Sequence, residues 1–182
     1  TGVKILNWMA TMYGGRLRFS TPMLFAVGLV AMFTIGGLSG VSHAVAPADT
    51  QQTDTYYIVA HFHYVLFGGA LLGLFAGIYF WYPKMFGHML NETIGKWHFW
   101  VLLIGFNLTF GPMHMLGMQG MMRRTYTYTE GQGFDVWNLV ATIGVCVLAV
   151  GVLLFLWNIV HSYRAHKRNP VNPGPDPWDA RS

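Results

Sequence analysis

The sequence predicts an all-α, polytopic transmembrane helix bundle with four full spans and the end of a fifth helix. Three observations predict it. Of 182 residues, 53% are hydrophobic and only 10% charged, whereas a soluble domain carries about a quarter charged residues. The apolar residues come in four blocks, each of about 20 residues or more, the length that crosses the hydrocarbon of a bilayer. Short polar segments separate the blocks and hold most of the charges.

The elements follow in order. Thr1 to Met12 reads as the end of a helix closed by Gly14-Gly15. The first span runs from about Pro22 to Ala44, where Ser20-Thr21-Pro22 sets a cap before an early helical proline. The second runs from about Thr55 to Trp81, with Asp54 suited to cap it and Pro83 to stop it. The third covers about Thr93 to Met118, entered through Asn91, and the fourth about Asp135 to Tyr163. A proline-rich stretch from Asn169 cannot be helical throughout. The regions are therefore 1–14, a helix end; 15–168, four spans; and 169–182, a tail. With no initial Met, and apolar residues already running at Val3, both ends read as cut. The chain is expected to be a piece of a longer polypeptide, or one of several segments assembled side by side.

Charge sets the orientation. One side holds Arg16, Arg18, Lys84, Lys96, Arg164, Lys167, Arg168 and Arg181; the other holds only Arg123 and Arg124, with Asp49, Asp54, Glu130 and Asp135. The positive-inside rule places the first group in the cytoplasm or its organellar equivalent. These basic residues sit at helix ends and form no stripe, so the net charge of +4 carries no nucleic-acid signature. The single cysteine, Cys146, excludes a disulfide framework and a site of several thiolates, and reads as a small helix-packing residue.

His61-Phe62-His63 lies inside the second apolar block. Ionisable groups at membrane depth are costly and mark function by default. Helical residues turn by roughly 100° each, so these two imidazoles point about 200° apart, with the Phe62 ring between them. One helix then offers one imidazole to each of two flanking sites, and imidazole is a usual axial ligand of haem iron. The alternative is two buried histidines bonded to neighbouring helices. A haem ligated there would lift its carboxylate side chains to the outer interface, where paired guanidiniums at Arg123-Arg124 suit carboxylate recognition; the same arginines could instead meet lipid phosphates. Asp54 is open to three roles: a cap, a hard-cation ligand or part of a water network.

Lys4 lies about 13 Å from the inner end of its helix at 1.5 Å per residue, with Thr1 three residues earlier on the same face. At that depth an ammonium must snorkel, pair or line a polar path. His98 and His114 lie within or near the ends of the third span, where a helix-to-helix bond suffices, while His43 is near the outer interface and His88, His161 and His166 near the inner one. Asn107 and Thr109 are expected to bond across helices, and Gly68-Gly69-Ala70 to allow close packing. The methionines around Met113 to Met122 read as gap fillers.

Asp54-Thr55-Tyr56-Tyr57-Ile58-Val59-Ala60-His61-Phe62-His63-Tyr64-Val65 resembles the signature of the haem–copper terminal oxidases. So do Thr1-Gly2-Val3-Lys4, Asn107-Leu108-Thr109-Phe110 and Gly120-Met121-Met122-Arg123-Arg124, with Asp176 to Arg181 resembling the segment after the last helix in bacterial members. Nearly the whole chain is similar to the C-terminal part of the cytochrome c oxidase subunit I family, from the end of helix eight through helix twelve of a twelve-helix core. That resemblance implies His61 as ligand of a high-spin haem and His63 as ligand of a low-spin haem, with Phe62 between them. It implies Arg123 and Arg124 on the haem propionates, and Lys4 with Thr1 in a proton pathway. Asp54 matches a magnesium ligand, although the family commonly has histidine where Thr53 stands, and a hydroxyl is the poorer ligand.

The activity implied is reduction of oxygen to water coupled to proton pumping, with two haems of A type and copper whose ligands lie upstream. The implied partners are the upstream segment of the same subunit, oxidase subunits II and III, the lipid bilayer, and cytochrome c as electron donor. A quinol oxidase is the alternative within the class, and a non-catalytic membrane haem protein the alternative outside it. The bacterial plasma membrane is expected rather than the mitochondrial inner membrane.

Overall fold

Each long apolar block folds as a helix, because in lipid every backbone polar group must be satisfied within its own segment. The structure, a computed structural model, describes residues 1–179; Ala180 and Arg181, part of the tail resemblance, lie outside the described residues. The helices are α1 (Gly2–Met12), α2 (Thr21–Ala44), α3 (Ala46–Gln52), α4 (Tyr56–Val65), α5 (Leu72–Phe86), α6 (Glu92–Met118) and α7 (Asp135–Arg168). A six-residue π-helical turn, Leu66–Leu71, joins α4 to α5 in one span of 31 residues. Among the described residues, four spans are long and apolar enough to cross a membrane, and the chain is an integral membrane protein.

Several boundaries differ from expectation. The second span passes through Pro83 and ends at Gly87, whose φ of 72° closes it in the left-handed region. Proline removes one N–H and crowds the preceding turn, but only three residues follow it before the closing glycine, so little helix depends on it. Asp54 does not cap α4. Thr55 does, its side chain accepting from Tyr57 N at 3.2 Å. The outer loop before it holds the short helix α3, and α7 continues five residues past Tyr163, adding His166, Lys167 and Arg168 where the helix C-terminus favours cations. Cys146 is exposed rather than in a seam. Asn91 caps α6 as expected, accepting from Ile94 N at 3.0 Å.

The core is a stack of rings and aliphatic side chains from α2, α4, α5 and α6, including Phe25, Tyr64, Phe75, Tyr79, Phe99 and Phe106. At one end of the bundle α2 starts beside the start of α6: Glu92 accepts from Thr21 N at 2.7 Å, giving an orphan helix N–H an anionic partner. Asn158 of α7 joins the same end. Its Oδ1 accepts from Asn91 N at 3.0 Å and from Ser162 Oγ at 3.0 Å, while its Nδ2 donates to Asn91 O at 3.0 Å and to Tyr79 Oη at 3.3 Å. Along their length α6 and α7 approach through glycines. A Cβ added at Gly105 would lie 2.5 Å from Leu148 N, and one at Gly144 would run into the Thr109 backbone. Small residues are what allow such contact in lipid.

Candidate functional site

The histidine helix is placed from its outer end. Tyr56 N donates to Met121 O at 2.9 Å and Arg123 N to Asp54 O at 2.8 Å, so the segment after α6 pairs with the start of α4. Asp54 and Arg124 hold positive φ of 60° and 66° in that turn. The Arg123 guanidinium forms an ion pair with Asp54. Gly117 completes the junction, since any Cβ there would collide with Tyr57.

From that start, the two imidazoles face different helices. His61 turns to α2: its Nδ1 lies 2.9 Å from Gly36 O and 2.9 Å from Ser39 Oγ. Gly40 leaves the room, because a Cβ there would be 2.8 Å from His61 Cε1. His63 turns to α6, stacked on Phe110 with centroids 4.0 Å apart and planes 14° apart. Its Nδ1 lies 2.7 Å from Val59 O. A carbonyl oxygen only accepts, so each Nδ1 carries a proton, and in the neutral ring Nε2 is then the nitrogen with the lone pair. Neither Nε2 has a hydrogen-bond partner among the described residues. Phe62 leans on the His63 ring, centroids 4.5 Å apart.

Other residues crowd this outer half. His43 of α2 meets His61 edge-on at 4.8 Å and Tyr57 at 5.4 Å. His114 of α6 meets Tyr57 at 5.1 Å and Tyr64 at 5.3 Å. Tyr64 donates to Asn107 Oδ1 at 2.9 Å, the cross-helix bond expected of Asn107. Thr109 instead bonds back to Gly105 O of its own helix at 2.7 Å. Among the described residues, no three His, Cys, Asp or Glu side chains converge as a metal cage.

Of the residues singled out in the sequence, the fold thus brings together Asp54, His61, Phe62, His63 and Arg123. Arg124 is exposed at the outer turn, without an ion pair among the described residues. Thr1 and Lys4 stay apart on α1, which has no buried residue. Ser39, Gly36, Gly40, His43 and Phe110 complete the surroundings and were not singled out with them. The small-residue run Gly36-Gly37-Leu38-Ser39-Gly40 was the available signal, since it marks a close helix approach.

Comparison with known proteins bears on the same residues. The family model described as Cytochrome C and Quinol oxidase polypeptide I matches residues 1–167. The chain is 53% identical to the cytochrome c oxidase subunit 1 of Alkalihalophilus pseudofirmus over 182 residues, which is 100% of this chain and 29% of that protein. It is 53% identical to cytochrome c oxidase subunit 1 of Thermostichus vulcanus over 173 residues, 95% of this chain and 31% of that one. It is also 52% identical to quinol oxidase subunit 1 of Bacillus spizizenii over 168 residues, 92% of this chain and 26% of that one. All three relatives are bacterial, in keeping with a bacterial membrane, and the chain spans less than a third of their length. This integral membrane chain belongs to the family of cytochrome c and quinol oxidase polypeptide I.

Proposed function

We propose that this segment carries the haem-binding helix of a proton-pumping terminal oxidase that reduces oxygen to water, with electrons from cytochrome c. The observation that carries the reading is the pair of imidazoles on α4. Each has its Nδ1 held by a backbone carbonyl and its Nε2 free, and they face opposite neighbours, α2 and α6. Axial histidines are held this way, with the second ring nitrogen bonded to a carbonyl to fix orientation and raise ligand basicity. The residues present fit a haem on each side of the helix. When bound, the haems, of A type in this reading, would supply the redox chemistry, together with copper whose ligands belong to the upstream segment.

The chain's own residues supply position. His61 would hold the oxygen-site haem through Nε2 and is oriented by Gly36 and Ser39 of α2. His63 would hold the electron-relay haem and is oriented by Val59 and by the Phe110 ring, with Phe62 between the two imidazoles. Arg123 and Arg124 hold propionates at the outer turn, where Asp54 fixes the Arg123 guanidinium. A magnesium ion at Asp54 would share that carboxylate with an arginine, and Thr53 offers it only a hydroxyl. Lys4 and Thr1 line a path for protons from the inner side once the upstream helices enclose α1. The segment corresponds to helices eight to twelve of a twelve-helix core, with regions 1–14, 15–168 and 169–182 as its proton-path end, haem-bearing spans and tail. Subunits II and III are its partners.

A quinol oxidase is the second reading, favoured by the 52% identity to a quinol oxidase subunit. The test is an optical spectrum of the intact complex with haem extraction. Two haems, one of them binding carbon monoxide, are expected, and haem-free active material would overturn the proposal. Oxidation of reduced cytochrome c, against a quinol, separates the two donors.

A further inference from the structure

Among the described residues, the His43 ring has no hydrogen-bond partner. Its side chain is 15% exposed, and both ring nitrogens are buried without a hydrogen-bond partner among the described residues. The nearest carboxylate oxygen, on Asp49, is 3.7 Å from Nδ1, beyond hydrogen-bond range. A buried donor left unmade is costly, and an imidazole offers such a group in every protonation state. A side chain of that cost is kept where it has a partner.

The ring's position says what the partner is. His43 lies on the α2 face that carries Gly36, Ser39 and Gly40, all three against His61, and its own ring meets His61 edge-on at 4.8 Å. It sits near the end of α2, on the same side of the bundle as the Asp54–Arg123 turn. A planar prosthetic group bound through His61 Nε2 with its acidic side chains toward that end meets His43 beside the axial ligand. We infer that His43 is a binding residue for that group, donating a hydrogen bond from a ring nitrogen to a carboxylate side chain of the haem held by His61. The inference rests on the proposed ligation by His61. Asp49 Oδ1, 3.7 Å from Nδ1, leaves both ring nitrogens without a hydrogen bond.

The experiment uses the intact oxidase complex with haem carboxylates labelled in carbon-13. Reduced-minus-oxidised infrared difference spectra are recorded for the unaltered protein, His43→Leu and His43→Gln. The labelled carboxylate bands of the carbon-monoxide-binding haem are expected to shift in His43→Leu and to return toward their original position in His43→Gln, whose amide still donates. Unshifted bands in a His43→Leu complex that keeps its carbon-monoxide-binding haem would overturn the inference. Should His43→Leu lose that haem, His43→Gln decides: haem retained with near-original bands supports the bond, and equal loss overturns it. An unaltered complex with no carbon-monoxide-binding haem would instead fail the ligation by His61, and the inference with it.

Discussion

The seam between α6 and α7 and the seams around α4 share close glycine approaches and differ in what their polar groups meet. Where α6 meets α7, glycines bring backbone against backbone, and the polar atoms of Asn158 and Ser162 are spent on Asn91 and Tyr79. Where α4 meets α2 and α6, Gly36, Gly40 and Gly117 also allow close approach, but the imidazoles of His61 and His63 are bonded at Nδ1 alone. The open nitrogens at α4 belong to two imidazoles that face different helices, whereas His98 Nε2, also unbonded, is enclosed by the aromatic core beside Phe155 of α7. The α6–α7 seam is scaffold, the α4 seams a site, and the π-turn at Leu66–Leu71 falls at the end of the site, where such turns often mark function.

That contrast breaks most completely at Gly144. Gly144→Leu drives a side chain into the Thr109 backbone, and overpacking costs about 1–3 kcal/mol or more. Both haems should be lost together, with assembled complex down about tenfold or more by haem-to-protein ratio. In the α4 seams the losses should be selective. His63→Ala should remove the six-coordinate low-spin spectrum and leave carbon monoxide binding, and His61→Ala should do the reverse; difference spectra check both. Asn158→Ala strips one member of the inner network and should cost about 1–2 kcal/mol in denaturant stability, with both haem spectra unchanged. Lys4→Met should slow reduction of the oxygen site in stopped-flow traces and leave the spectra of the oxidised complex as they were. Asp54→Asn is the smallest: a half-exposed ion pair contributes about 0–1 kcal/mol, so thermal stability should barely move.

The scaffold was more legible in the sequence than the site. Apolar block length placed four spans to within a few residues, except where a signal was read too literally. Pro83 reads as a stop, but a proline so near a closing glycine disturbs too little helix to end it. Asp54 reads as a cap, but its neighbour Thr55 takes that place because Asp54 adopts a left-handed turn to pair with Arg123. The opposed directions of His61 and His63 follow from helical pitch alone, and α4 is regular over both. What each imidazole meets was not legible, since Ser39, His43 and Phe110 come from other helices and inter-helix register has no local code. The π-turn was hidden for a related reason: Gly68-Gly69 signals close packing, and the wide turn arises as those glycines seat against Met32 and Phe33 of α2.

The most direct measurement is an experimental map of the intact complex, read at the two Nε2 atoms of α4. The account predicts two separate irons, one bonded to His61 Nε2 on the α2 side and one to His63 Nε2 on the α6 side. A map in which either nitrogen lies against protein alone, or both reach one metal, would contradict it.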